Sequence, residues 1–186
     1  MKGKAFEVRY ADDALLCFER KEDAVRVMKV LTKRLAKYGL EVHGGKTRLV
    51  NFKKPPQGKD SYKQVKRPGT FGFLGFSHFW KTSRKRDPVI GRKTISKKMT
   101  KAIRKIYDWC RKNRHKKIRE QFRQLKVKIK GHYNYFGICG NAKSLEKFFL
   151  QSKRAWFKWL KRRSNRRDLY WDKFNRILDY YRLPQP

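Results

Sequence analysis

The chain has 186 residues, of which 52 are Lys or Arg and 15 are Asp or Glu, a formal net charge of +37. Aromatic residues make up 15 % and hydrophobic residues 39 %, more than a disordered basic tail carries, so the chain is expected to fold beneath a cationic surface. A field of that sign and size excludes an ordinary enzyme of neutral small molecules and suits a polyanionic partner. No apolar run approaches the roughly 18 residues that span a bilayer, and Met1-Lys2-Gly3-Lys4 leads into Glu7, Arg9 and Asp12 rather than a signal core, so no membrane partner is expected. Three widely spaced cysteines (Cys17, Cys110, Cys139) and four scattered histidines (His43, His78, His115, His132) give neither a disulfide framework nor metal-ligand spacing. They read as structural residues of a reducing, cytoplasmic compartment.

Residues 1–50 hold 12 basic and 7 acidic residues, a net of +5, and residues 51–186 hold the remaining +32. The first part has the balance of a catalytic or scaffold domain and the second that of a nucleic-acid grip. In chain order, Ala5 to Arg9 reads as a strand, Tyr10 to Asp13 as a tight turn and Ala14 to Phe18 as a second strand. Glu22 to Tyr38 has apolar residues at helical spacing (Ala24, Val27, Met28, Leu31, Leu35), with Gly39 placed to stop the helix. Thr47 to Phe52 predicts another short strand, and Lys53 to Gly69, with Pro55, Pro56, Gly58 and Pro68, a loop.

Phe71 to Phe76 (FGFLGF) opens a strand or hairpin running to about Trp80, with glycines that mark a bulge or a close backbone approach. Beyond Gly91 the pattern is helical. One face carries Ile95, Met99, Ala102, Ile103, Ile106, Tyr107 and Cys110; a second helix carries Phe122, Leu125 and Ile129. A third carries Leu145, Phe148, Phe149, Trp156, Phe157 and Leu160, and a fourth Trp171, Phe174, Ile177, Leu178 and Tyr181. The expected class is α+β: a small antiparallel sheet with one helix over residues 1–80, then a basic helical bundle over 81–186.

Tyr10-Ala11-Asp12-Asp13 is the segment richest in chemistry. Adjacent carboxylates at a hairpin turn can reach one small volume, whereas on a straight strand they would point to opposite faces. Two close anions are costly unless cations lie between them, as in a two-metal phosphoryl-transfer centre, and hard oxygen ligands suit Mg²⁺. The same residues also read as a solvated turn, because Asp is common in hairpins.

Phe6 to Asp13 (FEVRYADD) resembles the catalytic hairpin of reverse transcriptases, in the form typical of group II intron-encoded proteins. The later segments follow that family in order: YGLEVHGGKT ending at Thr47, the FLG of Phe73-Leu74-Gly75, and Lys130 to Phe136 (KGHYNYF), which resembles the maturase-specific, or thumb, region. Trp156 to Arg163 and Tyr181 to Pro184 continue it, so the resemblance spans essentially the whole chain. It implies a partial palm followed by a helical thumb. It implies that Asp12 and Asp13 hold the catalytic Mg²⁺ ions and that Tyr10 lies under the primer terminus and the incoming nucleotide. Lys46 would approach the nucleotide's phosphates, and Phe73, Leu74 and Gly75 would form the primer grip. For Lys46 the plain alternative is a surface lysine, and for Phe73 and Leu74 simple core packing.

The family's site needs a third carboxylate on a strand well upstream, and this chain begins nine residues before Tyr10. The expectation is therefore a portion of a reverse transcriptase that does not polymerise alone, from a truncated reading frame or a split protein with a separate upstream half. Its compartment would be a bacterial cytoplasm or an organelle matrix.

In the second half, basic clusters are interleaved with aromatics such as Tyr107, Trp109, Trp156 and Trp159. Phosphate neutralisation with counterion release makes such a surface bind RNA in a salt-dependent way. The contact residues expected are Arg92, Lys97, Lys98, Lys126, Lys128, Lys130, Tyr133, Asn134, Tyr135, Arg162, Arg163 and Arg166, with Tyr133 to Tyr135 placed in a less regular segment after Gly131. Two functions follow: part of an RNA-directed DNA polymerase that binds structured intron RNA and primer–template, or a maturase-type module that assists intron folding and splicing without catalysis. A ribosomal-type basic protein is the third, which an Asp-Asp hairpin argues against.

Overall fold

A computed structural model describes residues 2–56, 68–163 and 169–186. In chain order the elements are β1 (Ala5–Tyr10), β2 (Asp13–Phe18), α1 (Lys21–Ala36), β3 (Phe71–Phe73), β4 (Phe76–Thr82), β5 (Pro88–Thr94), α2 (Ser96–Lys112), α3 (Ile118–Phe136), α4 (Ala142–Lys161) and α5 (Trp171–Tyr181). The strands form two small sheets, β1-β2 and β3-β4-β5, so the class is α+β as expected. No described helix is long and apolar enough to cross a membrane. The chain divides into two compact units, Met1–Leu74 with His78–Ile90, and Gly75–Ser77 with Gly91–Pro186.

In the first unit β1 and β2 pair antiparallel, from Ala5 opposite Phe18 to Tyr10 opposite Asp13. Helix α1 follows at once and packs on β2, burying Ala24 and Asp23. The Asp23 carboxylate accepts the backbone N–H groups of Lys2 and Gly3, both at 3.0 Å. These bonds, that from Gly3 foremost, hold its carboxyl below the usual range. In the first turn of α1 this anion also faces the positive end of the helix dipole. The helix closes at Gly39, where Leu40 N–H bonds Leu35 O at 3.1 Å and Gly39 N–H bonds Ala36 O at 3.1 Å, a Schellman pattern.

Residues 47–52 are not a strand, contrary to the sequence expectation. They lie beside 69–70 with one backbone bond, Gly69 N–H to Asn51 O at 2.8 Å, while the Arg48 guanidinium bonds Thr70 O at 2.9 Å. Side chains anchor the segment instead: Phe52 stacks on Trp80 at 5.4 Å and meets the edge of Phe71 at 4.9 Å, and the Trp80 indole donates to Phe52 O. Alternating apolar residues make a segment fit for a sheet, but a strand also needs a ladder of partners. Strand β5 has no counterpart in the sequence expectation. It is paired with β4 through a turn in which Ser83 N–H bonds Asp87 O at 2.8 Å and Ser83 Oγ accepts Asp87 N–H at 3.0 Å.

The second unit is built around α2 to α5. Trp156, Phe174, Leu125, Ile129 and Cys110 are fully buried, and Phe148, Met99, Ile106, Ala155, Leu160 and Leu183 complete the core. The helical periodicity singles out all of these except Ala155 and Leu183, the latter lying beyond α5. Burial pushes the Cys110 thiol up to about 12, so it behaves as a small apolar side chain. Two buried amides tie the elements together. Gln121 donates to Arg114 O and Lys116 O and accepts the Trp156 indole N–H at 3.0 Å. Asn141 accepts Thr94 N–H at 2.9 Å and donates to Thr94 Oγ1 and Phe136 O, joining the ends of β5 and α3 to the start of α4.

Residues 130–136 form the last turns of α3 rather than the less regular segment expected around Gly131. Packing overrides the weak propensity of one glycine, because Ile129, Tyr133 and Phe136 hold the helix on the core.

Candidate catalytic hairpin and nucleic-acid interface

Ala11 and Asp12 alone join β1 to β2. Ala11 takes φ +48°, the left-handed region that a residue with a Cβ rarely adopts. Positive φ at the first central residue belongs to the primed turns, whose twist matches that of the strands they join. The Arg9 Nε bonds Ala11 O at 3.3 Å and steadies the turn. Asp12 therefore sits at the apex, and Asp13 pairs across from Tyr10, both carboxylates exposed.

Cross-strand partners share a face, so Tyr10 and Asp13 lie with Val8, Leu15, Phe6 and Cys17. That face is open: Phe6 is 67 %, Tyr10 66 % and Val8 50 % exposed. Two exposed carboxylates on consecutive residues are a hard-oxygen donor pair of the kind Mg²⁺ takes. Among the described residues no group of three or more His, Cys, Asp or Glu side chains gathers around the pair.

Lys46 lies in the same unit, exposed on a turn where its N–H and that of Thr47 both bond His43 O at 3.0 Å. No hydrogen bond or ion pair joins its amine to Asp12 or Asp13 among the described residues. Phe73, Leu74 and Gly75 form the tip of the β3–β4 hairpin. Leu74 has φ +48° and Gly75 φ +82°, the two positive values of a type I′ turn, and glycine alone takes them without strain. Phe73 and Leu74 are half-buried.

The Gly75 carbonyl accepts Ile95 N–H at 3.0 Å, and a Cβ on Gly75 would stand 3.6 Å from the Tyr135 ring. Phe76, next in the chain, stacks on Tyr135 at 6.2 Å and meets Phe136 at 5.5 Å. The structure thus brings Gly75 of the expected primer grip beside Tyr135 of the expected RNA-binding set.

The other expected RNA contacts divide by exposure. Arg92, Lys97, Lys98, Lys128, Lys130, Asn134, Arg162 and Arg163 are exposed. Lys126, Lys130 and Asn134 follow one another at helical spacing on α3, beside the buried row Gln121, Leu125 and Ile129. Tyr133 is half-buried and its hydroxyl donates to Pro184 O at 3.2 Å; burial raises it to about 12. It serves the packing of the chain's end, not an open surface. Arg166 lies outside the described residues.

Many cations rest on rings. Lys128 stands 5.6 Å over Trp109, Lys126 5.7 Å over Phe122, Lys153 5.5 Å over Phe149 and Lys158 5.0 Å over Tyr107. Two guanidiniums, Arg162 at 5.5 Å and Arg114 at 5.9 Å, share the Trp159 ring, whose edge meets Tyr107 at 5.4 Å. The sequence reading did not name Arg114 or Lys158 as contact residues. Pairs within one helix, such as Phe122–Lys126, carry an i, i+4 signal. Arg114–Trp159 and Lys158–Tyr107 join different elements and have no such signature.

No curated protein and no solved structure matches the chain. Residues 2–78, which contain the hairpin from Tyr10 to Asp13, Lys46 and the β3–β4 tip, match the model of a family described as reverse transcriptase (RNA-dependent DNA polymerase).

Proposed function

We propose that this chain is the portion of a group II intron-type reverse transcriptase that carries the catalytic hairpin of the palm and a thumb/maturase region, and that it binds structured intron RNA and primer–template and supports splicing and retromobility. The observation that carries the reading is the exposed carboxylate of Asp12 at the apex of a strained two-residue turn, next to that of Asp13 at the start of β2, within a segment similar to reverse transcriptases. Asp12 and Asp13 would hold Mg²⁺, which supplies charge stabilisation to nucleotidyl transfer when bound. Tyr10, exposed on the same face as Asp13, would support the primer terminus, and Lys46 the nucleotide's phosphates. The tip Phe73-Leu74-Gly75 would grip the primer, since a glycine apex lets a backbone come close.

Cations in the second unit support the RNA-binding part. Lys97 and Lys98 occupy the first turn of α2, which holds no acidic residue, where the helix dipole disfavours positive charge. An arrangement that costs stability in the free protein is relieved by a bound polyanion. A maturase module without catalysis is the second reading, favoured by the exposed cations of the second unit, which can hold RNA whether or not Asp12 and Asp13 take part in chemistry.

The double substitution D12A/D13A separates the two. Primer extension with an added upstream reverse-transcriptase half should be abolished, while affinity for RNA stays equal or rises slightly as two anions are removed. Extension at the wild-type rate by D12A/D13A would sink the catalytic assignment. No extension by the wild-type pair, with RNA binding intact, would favour the maturase reading.

A further inference from the structure

The second unit contains a built cluster of cations and rings that no motif announces. Trp159 lies near the end of α4 and Tyr107 on α2, in edge contact at 5.4 Å. Arg114, from the turn between α2 and α3, and Arg162, just past α4, both stand over the Trp159 ring, and Lys158 stands over Tyr107. Since both guanidinium carbons are within 5.9 Å of one ring centroid, they are no more than about 12 Å apart. Arg114 is also held by a bond to Arg111 O at 3.1 Å. None of the three cations has a carboxylate partner among the described residues.

Like charges on neighbouring rings repel one another, and a bound anion relieves that repulsion while the rings keep the cations in place. The result is a preference for an anion that meets several of them together. Arg is suited to phosphate, because its planar fork donates two parallel hydrogen bonds while its face stays on the ring. The ring surfaces that meet cations are not free to stack on bases. The chemistry on offer is therefore phosphate contact without base readout.

We infer that Arg114, Arg162 and Lys158, ordered by Trp159 and Tyr107, bind the sugar–phosphate backbone of an RNA strand without regard to its sequence. This rests on the RNA-binding reading above and names where on the second unit the strand lies.

The test is the salt dependence of binding of a fluorescent RNA hairpin to the full chain, by anisotropy, between about 50 and about 200 mM salt. The slope of log Kd against log salt should fall by about two in R114Q/R162Q and by about one in K158Q, equally for a hairpin of scrambled sequence. K37Q, an exposed lysine of the first unit, should leave the slope unchanged. A wild-type slope near zero would overturn the RNA-binding reading itself. A steep wild-type slope that R114Q/R162Q does not alter, or that K37Q lowers as much, would overturn this site and leave the reading standing.

A loss seen with phosphatidylserine vesicles and not with RNA would make it a lipid-surface site and overturn the assignment. Should R114Q/R162Q melt below the wild type, the single R162Q reads the same site. Its side chain is exposed beyond α4, and the expected fall is about one.

Discussion

At the scale of single residues, burial decides what each polar side chain does. His132 sits between two rings, stacked on Phe148 at 3.7 Å between centroids and tilted against Phe136 at 4.6 Å. Its Nε2 is buried and has no hydrogen-bond partner. Burial penalises the imidazolium and lowers the group to about 4 from an ordinary 6.5. The unfolded chain therefore takes a proton below about 6.5 that the folded chain refuses until about 4. Stability falls as pH drops through that window, by about 2 kcal/mol once partial exposure is allowed for. In denaturant melts the stability difference between wild type and H132F should stay constant near neutrality and shift below about 6.5, with the wild type losing more. Parallel pH profiles would show that His132 is not the group responsible.

Asn141 and Gln121 act by the same logic with neutral groups, each buried to 1 % and each satisfied. Neither is legible in the sequence, because their burial depends on three elements converging on one point. The hairpin from Tyr10 to Asp13 is legible, since a two-residue turn fixes its own register.

At the scale of elements, helices declare themselves and strands do so only in part. The face Ile95 to Cys110 predicts α2, and the structure buries Met99, Ile106 and Cys110 from it. A helix closes its own hydrogen bonds, so its 3.6-residue period is written in one segment. A strand depends on a partner: residues 47–52 have the alternation without the ladder, and β5 gains its ladder from β4 despite Gly91. Gly131 misleads in the opposite way, as a helix breaker that does not break α3.

Its place in α3 makes a prediction. A Cβ there would meet nothing within 4 Å, and the residue is exposed, so Gly131→Ala adds no clash and removes backbone freedom from the unfolded chain. The second unit should gain about 0.5–1 kcal/mol, a rise in Tm of roughly 2–4 °C followed by circular dichroism. A fall in Tm would mean that residues 130–136 leave the helix in solution.

At the scale of the whole molecule, one quantity pulls folding and binding in opposite directions with salt. A charge of +37 on 186 residues means that the 15 acidic residues cannot neutralise their surroundings, and the exposed pair Lys116–Glu120 at 2.9 Å is a small local exception. The net repulsion is long-range in dilute buffer, where the screening length is about 30 Å at 0.01 M, and short-range at about 8 Å near physiological salt. Added salt should therefore raise the melting temperature of the free protein, by a few degrees if the relieved repulsion is of order 1 kcal/mol. The same salt should weaken RNA binding by roughly 10³ or more between about 50 and about 200 mM if six or more phosphates are neutralised. A bound RNA replaces salt as the source of screening, so saturating RNA at low salt should stabilise the fold more than salt alone. The discriminating measurement is a pair of melting curves, with and without RNA, across that salt range. They should approach each other as salt rises, because salt stabilises the free protein while it strips the RNA away. Curves that stay parallel would show that the positive surface neither strains the fold nor holds the nucleic acid, and the charge would then have to be explained by some other partner.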